Sequence, residues 1–177
     1  MDRVIGLGHV GLYVHDLDRM LHLYRDVLGM TVTKRNEAAG LVFLSSDPVL
    51  NDHEIVLLKG RDAGQDKLVH QISLRVESLD ALRRFRQAIL SEGLSIEIVA
   101  NHVSAIGVYF LDPEGNRTEV FWLTGRPCWV PTVVPIDIDR PDADVLDDID
   151  AEWAQRRDVR IGGDLPAGVG AELRIPE

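Results

Sequence analysis

A histidine, a tyrosine and a carboxylate lie close together in this sequence, on either side of one tight turn. They are His102, Tyr109 and Glu119, and the turn between the last two reads Asp-Pro-Glu-Gly-Asn, at 112–116. Proline fits the second position of such a turn, and glycine and asparagine tolerate positive φ angles. The sequence therefore predicts a hairpin whose adjacent strands hold Tyr109 and Glu119 on one face. Imidazole and carboxylate groups can bind a metal ion, and a histidine can also transfer protons.

The elements that must position these residues occur twice along the chain. Each repeat begins with an alternating strand, continues with a capped helix, and closes with three short strand candidates. The predicted cap is Asp16 or Asp18 in the first repeat and Ser78 in the second, and the helices end at Gly29 and Gly93. The segment Leu12–Asp18 matches Leu74–Asp80 without a gap, with Leu-x-Val and Leu-Asp shared. A βαβββ unit has one apolar sheet face, so pairing two units buries both faces. The sequence predicts an α+β fold of two βαβββ modules.

The predicted boundaries give one domain and an extension. We expect a domain over 1–124, with modules at about 4–60 and 67–124, and a C-terminal extension over 125–177. The predicted strands are 4–14, 31–34, 40–44, 54–59, 68–76, 95–99, 107–111 and 118–123, and the predicted helices are 17–28, 79–92 and 144–157. The extension begins as an extended strap, and its helix carries Val145, Ile149 and Trp153 on one side.

Composition excludes several classes of function. The chain has 177 residues, a hydrophobic fraction of 45% and no apolar run of membrane-spanning length. Its net charge of −10 argues against nucleic acid and anionic membranes as partners. A strand pattern starts almost at the first residue, so we expect no signal peptide. The single cysteine, Cys128, permits no intrachain disulfide and fits a cytoplasmic location.

The order of these residues resembles the signature of the type I extradiol ring-cleavage dioxygenases. The matching features are His102, Tyr109, the Asp-Pro-x-Gly turn and Glu119, together with Gly-His-Val-Gly-Leu-Tyr-Val around His9. Those enzymes belong to the vicinal-oxygen-chelate superfamily, which includes glyoxalases and bleomycin-resistance proteins. The resemblance covers about residues 4–124 and is closest to single-domain, catechol 2,3-dioxygenase-like enzymes. It implies a cupped mixed sheet around a metal site, and an oxidoreductase of aromatic catabolism.

The resemblance also implies a set of metal ligands, one of which departs from the pattern. His9 matches the first ligand motif and Glu119 matches the carboxylate ligand. Gln71 stands where the family places its second histidine, and His70 is one residue earlier. Strand alternation favours Gln71, because a shift of one residue reverses the face. Ligand chemistry favours His70, which a bulge could bring to the site, so both residues remain candidates for the third ligand. If Gln71 is the ligand, the site would bind iron more weakly or would hold another divalent metal.

By the same resemblance, three residues act on the substrate. His53 is similar to the histidine that transfers protons beside the iron, although it could instead be a solvent-exposed turn residue. His102 and Tyr109 would reach the oxygens of the substrate. Ile106 and Trp122 could line an apolar slot for an aromatic ring.

The function implied is extradiol cleavage of a catechol-type aromatic by non-haem Fe(II) and O₂. One alternative is a redox-silent, glyoxalase-like isomerase or epimerase that uses another divalent metal. A second is a protein that binds an aromatic compound without catalysis, as the bleomycin-resistance relatives do with their drug. The expected partners are a small aromatic diol and O₂. An apolar strap with Trp129 and Val130 favours contact with a second copy, so we expect a homo-oligomer.

Overall fold

The computed structural model describes residues 8–51, 53–62, 64, 69–128 and 131–159. The beginning of the predicted first strand, the residues Trp129 and Val130, and the end of the chain lie outside these ranges. The predicted α+β class is confirmed, since the chain forms two mixed sheets, of four and five strands, together with a few helices. Within the ranges given, no helix has the length and apolar character needed to cross a membrane.

The strands and helices follow the predicted order. The strands are β1 Val10–Val14, β2 Thr31–Asn36, β3 Leu41–Ser45, β4 Ile55–Lys59, β5 Ile72–Val76, β6 Ile96–Asn101, β7 Ala105–Leu111, β8 Arg117–Leu123 and β9 Val134–Pro135. The helices are α1 Leu17–Leu21, which continues as a π-helical segment His22–Val27, α2 Leu79–Ser91 and α3 Asp142–Arg156.

The chain divides into two compact units. Unit 1 comprises Met1–His70 and Asp112–Asn116, and unit 2 comprises Gln71–Leu111 and Arg117–Glu177. The boundary therefore falls between His70 and Gln71, and unit 2 includes the extension. The modules at about 4–60 and 67–124 and the separate extension over 125–177 stay a prediction.

Unit 1 contains the four-stranded sheet, in the order β1-β4-β3-β2, with β1 parallel to β4. Asp16 caps α1 by accepting a hydrogen bond from the Arg19 amide at 3.0 Å, and Gly29 ends the helical segment at φ 75°. Such a cap contributes about 1 kcal/mol. The buried side chains of the sheet and helix form its core: Leu12, Val14, Met20, Leu21, Leu23, Tyr24, Val42, Leu44 and Leu57.

The turn at 112–116 is held to unit 1 by polar contacts. Asp112 accepts hydrogen bonds from the amides of Glu114 and Asn116, at 2.9 and 2.7 Å. Gly115 takes φ 76°, as the turn sequence predicts. Glu114 then accepts from the amides of His15 and Asp16, at 2.5 and 2.8 Å. The glutamate of the turn is therefore a structural residue that connects it to the start of α1.

Unit 2 contains the five-stranded sheet, in the order β5-β8-β7-β6-β9, with β5 parallel to β8. Ser78 caps α2 by accepting from the Ala81 amide at 3.1 Å, as predicted. Side chains alternate between faces along a strand, so one face of this sheet carries the core residues. Those residues are Ile106, Val108, Phe110 and Val120, each exposed by 1% or less.

The extension is attached to unit 2 by backbone and side-chain contacts. The short strand β9 pairs antiparallel with β6, where the sequence predicted only an extended strap. The Arg83 guanidinium of α2 donates to the carbonyls of Ile138 and Arg140, at 2.5 and 2.8 Å. The indole of Trp153 donates to the Pro127 carbonyl at 3.1 Å. These bonds secure the chain just before α3 and the helix itself near its C-terminal end.

Candidate functional site

Three neighbouring strands of unit 2 place polar side chains on the sheet face opposite its core. Ser73 on β5 and Tyr109 on β7 are both direct partners of Glu119 on β8. Direct partners project to the same face, so the three side chains are neighbours. Glu119 is 5% exposed and Tyr109 is 8% exposed. The predicted hairpin geometry around Tyr109 and Glu119 is therefore present.

One oxygen of the Glu119 carboxylate is fixed by two donors. The Ser73 hydroxyl donates to Glu119 Oε2 at 2.5 Å, and the Gln71 amide Nε2 donates to the same oxygen at 3.3 Å. Gln71 Nε2 also donates to Ser73 Oγ at 2.9 Å. Hydrogen bonds to a charged acceptor are the stronger kind, so this pair determines the orientation of the carboxylate.

The other oxygen, Glu119 Oε1, lies over a glycine. A Cβ added at Gly107 would stand 2.1 Å from Oε1, which no real contact allows. The strand backbone thus leaves space for the carboxylate only because residue 107 has no side chain. Nε2 of His102 lies 4.0 Å from the same oxygen.

His102 occupies the turn between β6 and β7 rather than a strand. Its Nδ1 is 2.5 Å from the Thr132 carbonyl oxygen, and its Nε2 is 2.8 Å from the Tyr109 hydroxyl. The next residue, Val103, has φ 70°, which is strained for a β-branched side chain. Strained backbone is often found at functional sites, and here it lies next to one of the predicted catalytic side chains.

The Tyr109 phenol is strongly disposed to keep its proton. Burial, and then the hydrogen bond and negative charge of Glu119, raise the pKa of Tyr109 well above its ordinary value. The Arg117 guanidinium lies 4.6 Å from the ring centroid and acts on that pKa in the opposite direction. At neutral pH Tyr109 is therefore a hydrogen-bond donor.

Unit 1 brings together two of the other predicted histidines. The rings of His9 and His53 have centroids 4.5 Å apart and are tilted by 46°. Phe43 packs its edge against His53 at 5.1 Å. His9 is exposed and stands directly before β1, and His53 is half-buried and stands shortly before β4.

The structure gives less support to the remaining predicted residues, which are His70, Ile106 and Trp122. His70 is exposed and, like Gln71, precedes β5, which starts at Ile72. Ile106 and Trp122 are direct partners of each other, one residue out of phase with Glu119. Strand alternation therefore puts both on the core face, and the expectation that they line the site has no support in this geometry.

Sequence reasoning missed three residues that shape the carboxylate's surroundings. They are Ser73, Gly107 and Arg117, and each follows from register. Ser73 lies opposite Glu119 on the parallel strand β5. Arg117 is two positions from Glu119 and Gly107 is two positions from Tyr109, so all of them share the sheet face of the carboxylate. Ser73 can be assigned to the site only through the pairing of β5 with β8, which the sequence does not specify, whereas Gly107 and Arg117 lie on the predicted hairpin of β7 and β8.

The comparison with family models decides the chain's membership. The model for the Glyoxalase/Bleomycin resistance protein/Dioxygenase superfamily matches residues 6–120. The chain belongs to this superfamily. The resemblance seen in the sequence is thereby confirmed, and the matched span ends before the extension.

Individual superfamily members share parts of this chain. A metapyrocatechase from Pseudomonas sp. (strain CF600) is 32% identical over 117 residues, which is 64% of this chain and only 36% of the relative. The solved structure of an integron cassette protein from the mobile metagenome of the Halifax Harbour sewage outfall is 25% identical in sequence. The superposition covers 68% of this chain and 100% of the cassette protein, with TM-score 0.57. A lactoylglutathione lyase from Agrobacterium tumefaciens is 19% identical, covers 68% and 96%, with TM-score 0.54, and shows the fold alone.

The donor types in the site fit a divalent cation. Imidazole and carboxylate ligands suit Fe(II) and related metals, and the chain supplies both. The buried Glu119 has one oxygen fixed by donors and the other placed in space that a Cβ would fill. Over the part of the chain that the structure describes, no three His, Cys, Asp or Glu side chains converge closely enough to form a metal cluster.

Proposed function

We propose that this superfamily member is an extradiol dioxygenase that opens a catechol-type ring with Fe(II) and O₂. The observation that carries the proposal is the group formed by His102, Tyr109 and Glu119, with the Tyr109 hydroxyl 2.8 Å from His102 Nε2. A redox-silent isomerase has no evident use for a phenol and an imidazole paired in this way. The metapyrocatechase relative favours the same chemistry, although it matches over only part of its length.

We propose His9 and Glu119 as metal ligands, with Gln71 rather than His70 as the third candidate. Gln71 reaches the carboxylate that would bind the metal, whereas His70 is exposed. Bound Fe(II) would supply the activation of O₂ and would make the substrate's hydroxyl group easier to deprotonate. Nickel, cobalt or zinc would supply only the second of these.

The protein's own groups would bind the substrate and handle protons. Tyr109 keeps its proton and donates a hydrogen bond to an oxygen of the bound diol. His102 presents Nε2 beside that hydroxyl, where the nitrogen can hold or release a proton during ring opening. His53 is the second candidate for proton transfer, and Phe43 packs on its ring. Histidine suits both positions because its ordinary pKa lies near neutral pH.

The test is O₂ uptake after anaerobic loading with Fe(II), using a panel of plain and substituted catechols. Uptake with a yellow, ring-opened product is the expected result. Tyr109→Phe and His53→Ala should each lose most of the activity while still binding iron. His22→Ala is the matched control, because His22 is exposed and pairs with Asp26 at 3.0 Å in unit 1. An equal loss in the control would show that the substitutions act through folding.

A second candidate function is favoured by the amide at residue 71. An amide oxygen binds Fe(II) more weakly than a neutral imidazole, and such a site also suits a redox-silent metal or no metal at all. Iron that binds without any O₂ uptake would favour the isomerase or epimerase. Iron that never binds, together with tight binding of an aromatic compound, would favour a sequestering protein.

We also propose that the chain forms a homo-oligomer that takes a small molecule as its substrate. The apolar pair Trp129 and Val130 motivates this proposal, and both residues lie outside the described ranges. Light scattering of the purified protein at several concentrations tests it. A constant monomer mass at high concentration would contradict the proposal.

A further inference from the structure

The C-terminal extension reaches one of the proposed catalytic side chains. The superfamily match ends at residue 120, yet the Thr132 carbonyl oxygen lies 2.5 Å from Nδ1 of His102. Thr132 is 7% exposed, so bulk water has little access to the contact. The strand β9 follows two residues later and pairs with β6 directly before His102, which fixes the carbonyl relative to the ring.

The chemistry of this contact determines which nitrogen carries the proton. A backbone carbonyl can only accept, so Nδ1 of His102 must be the donor whether the ring is neutral or cationic. In the neutral ring the lone pair is then on Nε2. That nitrogen lies 2.8 Å from the Tyr109 hydroxyl oxygen and 4.0 Å from Glu119 Oε1. Nε2 is therefore the nitrogen directed at the site.

The backbone at His102 is held independently of the ring. The His102 amide donates to the Ala105 carbonyl at 2.8 Å, and the buried Asn101 side chain accepts from the Val103 amide at 2.7 Å. The Thr124 amide donates to the Ser104 carbonyl at 3.0 Å. These bonds fix the position of the residue but leave rotation of its ring free. The ring's orientation thus depends on its own contacts, which are the nitrogen contacts to Thr132 and Tyr109 and an edge contact with the Tyr109 ring at 5.8 Å.

We propose that the extension is a positioning element for His102. Through the Thr132 carbonyl it keeps the proton on Nδ1 and directs Nε2 toward Tyr109 and the bound substrate. The catalytic part of this inference rests on the proposed function, whereas the placement of the proton does not. The general form of the idea is known from metal sites, where a second hydrogen bond selects the tautomer of a histidine.

The first experiment reads the tautomer directly. Full-length protein with ¹⁵N-labelled histidine is studied by long-range ¹H–¹⁵N correlation without substrate, and His102 is assigned from the spectrum of His102→Gln. The expected result is a ring that carries a slowly exchanging proton on Nδ1. A ring protonated at Nε2 alone would overturn the proposal. Because no turnover is needed, this result stands even if no catechol is cleaved.

A second experiment weakens the carbonyl without changing a side chain. Replacing Val133 by its α-hydroxy acid turns the Thr132 amide carbonyl into an ester carbonyl, which is a poorer acceptor. The Val133 side chain is 64% exposed, and Val133→Ala, with its backbone amide intact, is the matched control. We expect the ester to give a mixture of tautomers and to lower kcat about tenfold, with KM changed less than twofold. The Ala control should match the unaltered protein.

The outcomes separate the two hypotheses. An ester variant that retains the Nδ1 tautomer and full kcat would contradict the positioning role, even in an active dioxygenase. An unaltered protein that cleaves no catechol, but shows the Nδ1 tautomer and loses it in the ester, would overturn the proposed function. In that case the extension would still be established as the element that orients His102.

Discussion

Substituting Gly107 by alanine should displace the carboxylate of Glu119. An alanine Cβ at this position would lie 2.1 Å from Glu119 Oε1, 3.1 Å from its Cδ and 3.0 Å from Cε2 of Tyr109. A normal contact between carbon and oxygen is about 3.3 Å or longer. The carboxylate must therefore move by roughly 1 Å, because the strand backbone on the other side of the contact is paired to its neighbours.

The size of the effect follows from the bonds that this movement breaks. The Ser73 hydroxyl is 2.5 Å from Oε2, and a displacement of about 1 Å brings that bond to the limit of hydrogen-bond geometry. A lost bond to a charged group costs about 1.5–3 kcal/mol, against which alanine gains about 0.4–1 kcal/mol over glycine through the unfolded chain. We expect a net destabilisation of about 1–2 kcal/mol. Metal affinity should fall about 10- to 100-fold, as for other losses of a ligand's supporting contacts.

Denaturant unfolding and calorimetric titration with Mn²⁺, which avoids oxidation, measure the two effects. The matched control is Gly11→Ala, since a Cβ added at Gly11 on β1 meets nothing within 4 Å. That variant should be as stable as the unaltered chain or slightly more stable, and it should bind Mn²⁺ with the same affinity. If Gly107→Ala behaves like the control in both assays, the close approach of Glu119 to the β7 backbone is refuted.

Three further changes probe other contacts. Ser73→Ala should weaken Mn²⁺ binding about tenfold in the same titration, whereas Ser73→Thr, which keeps a hydroxyl, should bind as the unaltered protein does. Burial raises the pKa of Asp112 in the folded protein. The protonated carboxyl therefore stabilises the fold fully below the pKa of the unfolded chain, and this contribution is lost as pH rises through the pKa of the folded protein. Urea unfolding at several acid pH values should show that Asp112→Asn loses less stability over that pH window. Arg83→Met keeps an apolar stem but removes the donors to Ile138 and Arg140, so amide exchange should accelerate in α3 while α2 keeps most of its protection. Unchanged exchange in α3 would show that this arginine does not secure the extension.

Local rules predicted much of the fold. The caps Asp16 and Ser78, the glycines that end the helical segments and the turn at 112–116 are each specified by a few neighbouring residues. The internal repeat predicted the order of the remaining elements. Alternation also indicated that Gln71, not His70, would share a face with Glu119, and the contact between Gln71 and Glu119 agrees with that geometry.

Features that depend on distant pairing could not be predicted in this way. The roles of Ser73 and Gly107 require the register of β5 and β7 against β8, and the contact between Thr132 and His102 requires the path of the extension. Ile106 fits an aromatic slot by composition, but its phase within β7 places it in the core. The role of Glu114 was also missed, because a glutamate in a turn is usually exposed.

The amide at residue 71 has a consequence for how the site would bind a metal. Gln71 uses Nε2 to donate to Glu119 and to Ser73, so its Oε1 is the only atom left for a cation. A histidine that bound the metal through one nitrogen would have a single N–H left for the carboxylate. Glutamine in place of the family's histidine would thus give Glu119 more support but would be a weaker ligand for a metal. Gln71→His should then raise the affinity for Fe(II) while it loosens Glu119, and Gln71→Ala should lose both contributions. A similar loss of affinity in both variants would show that residue 71 acts only through Glu119 and not as a ligand.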